Sequence, residues 1–200
     1  MKEMIDVQQL IHIIRNMKPC FLDGEMSGRI TFKGDIDFAP EADFAVQRQV
    51  QERLLALYPD IQFMGEEKDN SGIDFAGAVW ILDPVDGTTN LVHRFDHSAV
   101  SLALAVDSRL ELGIVYNPYR DELFHAVRGG GAYLNGNPIH VGPAAQMREA
   151  LISVGTAPYY HELADRNFER IKSIFLDCQD IRRLGSAALD LSYVACGRID

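Results

Sequence analysis

The spacing of apolar residues in the N-terminal part of the chain predicts two helices. From Ile5 to Met17 the apolar side chains recur at helical intervals, and Pro19 is expected to end this first helix. A second helix is predicted to begin after Ala39, because Pro40 suits a first helical turn. The sequence Tyr58-Pro59-Asp60 is expected to stop it. Both helices precede the first strand-like segments.

Short apolar runs in the middle of the chain predict a sheet. The predicted strands are Ile61 to Met64, Gly77 to Leu82, Ala99 to Val106, Leu110 to Tyr116 and Glu122 to Val127. The turn residues Asp107-Ser108-Arg109 join two of them, and Asn135-Gly136 is a strong signal for another tight turn. Because strands joined by turns this short run antiparallel, we expect a largely antiparallel sheet.

After about Gln146, strand-like and helix-like segments alternate. Strands are predicted at Leu151 to Val154 and Asp180 to Arg182, and helices at Pro158 to Phe175 and Ser186 to Cys196. This alternation is typical of an α/β layer. We therefore predict an α/β protein with an α+β domain at residues 1–146 and an α/β domain at residues 147–200. Because Asp200 follows a helix directly, we expect the second domain to be C-terminally incomplete, with an exposed edge and apolar surface that favour association.

Charge and composition narrow the classes of partner. The formal net charge is −10, which argues against binding to nucleic acid and to anionic membranes. The sequence contains no run of about 18 apolar residues, so no membrane span is predicted. The three cysteines, Cys20, Cys178 and Cys196, are isolated and form no CxxC pair, so a reducing compartment, the cytoplasm, is expected. On so acidic a chain, a phosphorylated substrate needs local positive charge, which a bound metal ion would supply.

The segment Trp80 to Asn90, with the sequence WILDPVDGTTN, carries the chemistry. Asp83 and Asp86 follow an apolar strand, and Pro84 between them forces the chain to leave the strand abruptly. The two carboxylates can then converge on one point together with the Val85 carbonyl. Hard oxygen ligands of this kind suit magnesium or manganese better than zinc.

The next residues are expected to receive an anion. Gly87 and Thr88 are predicted to open a short helix, whose free N–H groups and positive dipole end bind phosphate. The Thr88 hydroxyl is also placed to orient a water molecule. An acidic turn with an aspartate helix cap is the plainer interpretation, and it is the common one for a lone DxxD, but it accounts poorly for the full DPVDGTTN sequence after an apolar strand.

DPVDGTTN resembles the DP(I/V/L)DGT signature of the inositol monophosphatase family, a magnesium-dependent, lithium-sensitive group within a wider superfamily of sugar phosphatases. Gly65-Glu66-Glu67 resembles the GEE motif of that family, and the segment from Lys33 to Asp43 resembles its upstream motif. Downstream, Arg183 to Ala188 also fits. The resemblance covers nearly the whole chain and implies a layered αβαβα sandwich.

The resemblance also implies roles for single residues. Glu66, Asp83, Asp86 and the Val85 carbonyl would be ligands of two or three Mg²⁺ ions, with Mn²⁺ as an alternative. Asp43 would hydrogen-bond Thr88, and this pair together with Glu66 would activate the attacking water. The implied substrate contacts are Gly87, Thr88, Thr156, Arg182 and Ala187. Of the neighbouring Arg182 and Arg183, we expect one to face the substrate and the other to face solvent.

Several alternatives stay open. The most direct expectation is hydrolysis of inositol monophosphate, but fructose 1,6-bisphosphate, histidinol phosphate and a 3′-phosphoadenosine nucleotide are alternative substrates. The family carries a further metal-binding aspartate in a WD motif, which this sequence lacks because its only tryptophan is Trp80. A catalytically weak binding or regulatory protein is therefore a second hypothesis. The resemblance also implies a homodimer, for which the apolar region from Ala99 to Tyr116 is the expected contact.

Overall fold

The computed structural model describes residues 5–28, 30–32, 38–66, 68–144 and 146–200. The helices are α1 (Val7–Arg15), α2 (Lys18–Leu22), α3 (Gly24–Gly28), α4 (Glu41–Leu57), α5 (Thr88–Val92), α6 (Ala164–Asp177) and α7 (Ala187–Ala195). The strands are β1 (Ile30–Phe32), β2 (Phe38–Pro40), β3 (Gln62–Gly65), β4 (Ala78–Asp86), β5 (Ala99–Val106), β6 (Arg109–Asn117), β7 (Glu122–Val127), β8 (Gly131–Leu134), β9 (Asn137–Pro138), β10 (Leu151–Ser153) and β11 (Asp180–Arg182). None of the described helices is both long enough and apolar enough to cross a lipid bilayer.

The first predicted helix is present but is followed directly by another. Asp6 caps α1 by accepting hydrogen bonds from the Gln8 and Gln9 N–H groups. The expectation that Pro19 ends this helix is wrong, because α1 already ends at Arg15 and Pro19 lies in the first turn of α2. Proline is tolerated there because the first N–H groups of a helix have no intrahelical acceptor.

Seven strands form the main sheet, in the order β3-β4-β5-β6-β7-β8-β9. Only β3 and β4 run parallel, so the predicted antiparallel character is confirmed among the described residues. Both tight turns are also present: Asp107 and Ser108 have positive φ, and so do Asn135 and Gly136, as two-residue hairpin loops require. Helices α1, α2 and α4 contribute to a hydrophobic core on one face of this sheet.

The hairpin expected to contact a second subunit lies in the middle of this sheet. Strand β5 pairs with β4 on one side and β6 on the other. Leu102, Ile114 and Tyr116 are at most 1% exposed, whereas Leu110 beside the hairpin turn is 58% exposed. Leu102, Ile114 and Tyr116 therefore cannot supply a dimer contact, because they pack in the hydrophobic core between the sheet and the helices. A contact elsewhere in the region from Ala99 to Tyr116 stays a prediction.

The C-terminal part contains the parallel pair β10–β11 with α6 and α7. The strand and helix predictions hold here except at the start of α6, which begins at Ala164 instead of Pro158. Ala157 has a φ of 48° and a 3-10 turn covers His161–Leu163, so the chain turns before the helix can begin. The division into domains at residue 146 stays a prediction. The second core cluster contains residues from both sides of this boundary, such as Phe124 and Tyr193.

Helix α6 presents an apolar face to solvent. No residue of the helix is buried, and Phe168 and Phe175 are 58% and 52% exposed. These two residues and Ile171 lie three to four positions apart and so form one stripe along the helix. Apolar stripes of this kind promote association.

We expect Phe168→Glu to reduce self-association of the protein. Because Phe168 is already exposed, the free energy of unfolding should change by less than about 0.5 kcal/mol. Sedimentation velocity over a range of concentrations measures the effect, and Ser173→Glu on the polar side of α6 is the charge-matched control. An equal effect of both variants, or a wild-type chain that stays monomeric throughout, would contradict the prediction.

Candidate active site

The two acidic motifs meet because β3 and β4 are parallel neighbours. In their register Gly65 lies opposite Leu82, so the next residues, Glu66 and Asp83, emerge side by side at the same end of the sheet. The carboxyl ends of neighbouring parallel strands are a common location for ligand sites. Two motifs that are distant in sequence therefore form one acidic cluster.

A β-bulge in β4 brings the second aspartate to the cluster. Asp83 pairs with Ser101 and Asp86 with Ala99, so three steps along β4 match two along β5. Pro84 falls inside this irregularity, where its missing N–H costs no ladder hydrogen bond. The chain thus does not leave the strand at Leu82 as predicted; the strand continues to Asp86, and the bulge re-aims its side chains.

The turn that carries Glu66 is fixed from both sides. The Asn70 amide donates to the Gly65 carbonyl (2.7 Å), and the Gly65 N–H donates back to Asn70 Oδ1 (3.3 Å). Lys68 donates to the Phe63 carbonyl (2.9 Å). A Cβ at position 65 would require the buried Gln47 amide to shift. Glu66 itself is exposed toward the cleft, whereas Glu67 lies outside the described residues.

Asp83 carries the clearest electrostatic signal in the cluster. Burial, followed by the negative charges of Glu66 and Asp86, raises the pKa of Asp83 to about 8. A hydrogen bond to Glu66 acts in the same direction, while the Val85 N–H, which donates to Asp83 Oδ1 (3.1 Å), opposes it. At neutral pH Asp83 therefore keeps a proton that it shares with Glu66.

A divalent cation fits this donor set. Among the described residues no three carboxylate, imidazole or thiol groups already form a ready-made metal cage. The donors are nevertheless hard oxygens held close enough to repel one another, and a cation placed among them would replace the shared proton. We conclude that Glu66, Asp83 and Asp86 suit Mg²⁺ or Mn²⁺ in their chemistry, with metal binding coupled to loss of that proton.

Asp86 also holds the start of α7. Its Oδ2 accepts hydrogen bonds from the Ser186 hydroxyl and from the Ala188 N–H, both at 2.6 Å. Ser186 is in turn the N-cap of α7, since its hydroxyl oxygen accepts from the Leu189 N–H. This carboxylate therefore joins the acidic cluster to the C-terminal part of the chain.

The residues predicted to receive phosphate and water lie beside the cluster. Gly87 has a φ of 91° and precedes α5, whose first residue is Thr88. The Thr88 hydroxyl donates to the Val85 carbonyl (3.1 Å). Asp43 is 1% exposed in the first turn of α4, and it is not among the residues that line the neighbouring cleft. A hydroxyl has one proton, so donation from Thr88 to Asp43 would require this hydroxyl to rotate.

A cleft of about 880 Å³ opens from the cluster toward the C-terminal part. Thr156 and Ala187 line it, and their role as substrate contacts stays a prediction. The arginine in this cleft is Arg183, whose guanidinium is 3.3 Å from the Thr156 hydroxyl, and not Arg182. Arg182 instead forms an ion pair with Asp180, because residues two apart on β11 share a face of the strand. The prediction of Arg182 as the cleft arginine is corrected on this geometry.

Sequence comparison matches residues 8–200 to the model of the inositol monophosphatase family. The chain belongs to the inositol monophosphatase family. It is 34% identical to an inositol monophosphatase of Dictyostelium discoideum over 97% of its own length and 74% of that relative. It is 38% identical to an inositol-1-monophosphatase of Rhizobium meliloti and to the Nus factor SuhB of Salmonella typhimurium, over 65% and 63% of those proteins. The chain thus spans under two thirds of these two bacterial relatives.

Solved structures of the same family share the fold. The extragenic suppressor protein SuhB of Bartonella henselae matches with a TM-score of 0.86 at 29% identity, over 97% of this chain and 76% of that one. The IMPase of Thermotoga maritima matches with a TM-score of 0.82 at 31% identity, over 95% and 72%. The predicted fold class, a mixed α/β fold of the inositol monophosphatase type, is confirmed.

Some residues of this inositol monophosphatase-type cleft were not predicted from the sequence. Asp190 lines the cleft, and burial is the main cause that raises its pKa. Ala187, Leu191 and Val194 line it too, at the spacing of one face of a helix. That periodicity was present in the sequence and would have identified Asp190 as a member of the same face.

Proposed function

We propose that this site hydrolyses a small phosphomonoester in a Mg²⁺-dependent reaction, with inositol monophosphate as the substrate. The observation that carries the proposal is the acidic cluster, in which burial and the neighbouring Glu66 and Asp86 raise the pKa of Asp83. Protein cores rarely keep mutually repelling carboxyl groups without a use for them. Membership of a phosphomonoesterase family supports the same reaction.

The proposed metal ligands are the side chains of Glu66, Asp83 and Asp86 and the carbonyl of Val85. Two or three Mg²⁺ ions, or Mn²⁺ in their place, would neutralise the phosphate ester and lower the pKa of the attacking water. The chain supplies the arrangement. The parallel register brings Glu66 beside Asp83, and the bulge follows Asp83, so that the charges of Glu66 and Asp86 both act on Asp83.

The proposed water-orienting pair is Thr88 and Asp43. The Thr88 hydroxyl oxygen can accept a hydrogen bond from water while its own proton points away, at present toward Val85. When the Val85 carbonyl serves as a metal ligand, the Thr88 proton needs another acceptor. We assign that role to the buried Asp43 carboxylate, which would hold the hydroxyl in one orientation.

The substrate is proposed to lie across the cleft. Gly87 and Thr88 at the start of α5 would bind the phosphate, and Thr156 and Ala187 would contact the alcohol part. Arg183 takes the place first given to Arg182, because only Arg183 of the two lines the cleft. A structure of an inositol monophosphatase from Staphylococcus aureus with inositol monophosphate bound supports this class of ligand, at 29% identity.

A substrate panel tests the proposal. Phosphate release is measured with Mg²⁺ on inositol 1-phosphate, fructose 1,6-bisphosphate, histidinol phosphate and a 3′-phosphoadenosine nucleotide, each with and without Li⁺. We expect the highest kcat/KM for inositol 1-phosphate, with inhibition by Li⁺. A higher value for one of the other three would reassign the substrate, and release that persists without divalent metal would reject the mechanism.

A binding or regulatory function is a second candidate. Relatives 37–38% identical to this chain, from Salmonella typhimurium and Escherichia coli, carry the name Nus factor SuhB and not that of a phosphatase. Calorimetry separates the two functions, because binding of Mg²⁺ and phosphate without any turnover would favour the regulatory one. We also propose that the protein forms a homodimer, as the family resemblance implies, and sedimentation equilibrium tests this. The three free cysteines support a location in the cytoplasm.

A further inference from the structure

Asn90, the last residue of the DPVDGTTN motif, connects two parts of the chain. Its side-chain amide donates one hydrogen bond to the His97 carbonyl and one to the Leu184 carbonyl, each at 2.7 Å. An amide group has two N–H donors, so both are used. One of them reaches 94 residues along the chain, to the loop that precedes α7.

A second connection lies close to the first. Asp86 accepts from Ser186 and from the Ala188 N–H, as described above. We call the contact between residues 86–90 and residues 184–188 the seam. Within it Gly87 approaches Gly185 so closely that a Cβ on Gly87 would lie 3.1 Å from the Gly185 carbonyl oxygen. The seam is therefore tightly packed and anchored at both ends.

The seam sets the position of one wall of the cleft. Residues 183–187 place Arg183 and Ala187 opposite the acidic cluster. Gly185, between the two anchors, has a φ of 85° and would otherwise leave this loop free to rotate. Without Asn90, the Asp86 anchor at the α7 end and the Arg183–Thr156 contact at the other end would remain, but the Leu184 carbonyl between them would lose the hydrogen bond from Asn90.

We propose that Asn90 is a positioning residue, which fixes the Arg183–Ala187 wall relative to the acidic cluster and thereby sets how the alcohol part of the substrate is held. Asn90 is not among the residues that line the cleft, and both of its donors are used on backbone carbonyls, so we assign it no contact with a reacting group. The kinetic part of this inference rests on the proposed hydrolysis; the structural part does not.

Amide hydrogen exchange tests the structural part without any activity. In Asn90→Ala we expect exchange of residues 184–189 to accelerate by about 10- to 100-fold, from the loss of two backbone-directed hydrogen bonds. The matched control is Asn135→Gly, which removes an asparagine with several hydrogen bonds in a distant turn and keeps its positive φ. The control should leave residues 184–189 unchanged.

Equal acceleration of residues 184–189 in both variants, or none in Asn90→Ala, would overturn the inference. Asn90→Ser is the second variant, because a serine hydroxyl retains one donor and perturbs folding less. It should give an intermediate acceleration confined to the same residues, and exchange like that of the wild type would equally overturn the inference.

Two substrates of different size test the kinetic part. With Mg²⁺, Asn90→Ala should lower kcat/KM for inositol 1-phosphate by about 10-fold, chiefly through KM, and for methyl phosphate by less than about 3-fold, because methyl phosphate has no ring to contact the wall. An equal loss on both would reject a role in substrate positioning. A wild-type chain with no turnover would reject the proposed function, while the exchange result would still decide whether Asn90 holds the wall.

Discussion

Asp83→Asn is expected to abolish phosphate release and at the same time to stabilise the metal-free protein. Loss of one of three clustered carboxylates should lower kcat/KM by on the order of 1,000-fold, because a metal supplies several kcal/mol of charge stabilisation in phosphoryl transfer. The asparagine oxygen can still accept from the Val85 N–H, and its amide can donate to Glu66, so the local structure should persist.

The stabilisation follows from the raised pKa of Asp83. The ordinary pKa of the Asp83 carboxyl is 3.8, and in the folded protein it is about 8. Between these two pH values the folded protein holds a proton at Asp83 that the unfolded chain releases. Stability therefore falls as the pH rises through this window, and asparagine removes the effect. We expect Asp83→Asn to raise the free energy of unfolding at pH 7 by about 1–3 kcal/mol, and to have little effect at pH 4.

Urea unfolding in EDTA at pH 4 and pH 7 measures this difference. Excess Mg²⁺ should reverse the order at pH 7, because the metal stabilises only the protein that binds it. A variant that retains activity would refute the assignment of Asp83 as a ligand. A variant less stable than the wild type at pH 7 without metal would refute the shared proton.

Asp86→Ala is expected to abolish activity as well, but with the opposite effect on stability. Asp86 accepts two hydrogen bonds of 2.6 Å at the start of α7, from Ser186 and Ala188. Hydrogen bonds to a charged group contribute about 1.5–3 kcal/mol each, so for the two bonds we expect a loss of about 3–6 kcal/mol in the free energy of unfolding.

The same urea titration in EDTA measures this loss, with Ser186→Ala as the control. Ser186→Ala removes one of the two bonds and the N-cap but keeps the bond from the Ala188 N–H, so its loss should be smaller, about 2–4 kcal/mol. If Asp86→Ala matched Asp83→Asn in stabilising the protein, Asp86 would be only another repelling carboxylate. The link between the cluster and α7 would then be wrong.

Local sequence patterns predicted the helices and strands whose formation depends on neighbouring residues. Alternation and tight turns gave the hairpin β5–β6 and strand β7 nearly to the residue, because a two-residue turn fixes the register of the strands beside it. Turn signals alone did not predict the short strands β8 and β9, which exist through pairing with β7 and with each other. The start of α6 was predicted too early, since a positive φ at Ala157 leaves no local signature in an alanine.

The acidic cluster was predicted in part. Asp83, Asp86 and Val85 follow from one short motif, whereas the addition of Glu66 rested on the family resemblance. Its physical basis is the parallel pairing of β3 with β4, a non-local contact that the sequence does not display. The choice between Arg182 and Arg183 likewise depended on tertiary structure, because Arg182 ends β11 and pairs with Asp180, whereas Arg183 follows the strand and lines the cleft. The seam at Asn90 also required the tertiary structure.

Calorimetric titration of Mg²⁺ into the wild-type protein at pH 7, in two buffers of different protonation enthalpy, tests the acidic cluster most directly. We predict Mg²⁺ binding with release of about one proton per protein, the one that Asp83 shares with Glu66, and an affinity that increases from pH 6 to pH 8. Asp83→Asn should bind weakly and release no proton. Absence of binding in the wild type, or equal binding by Asp83→Asn, would contradict the assignment of Glu66, Asp83 and Asp86 as a metal site.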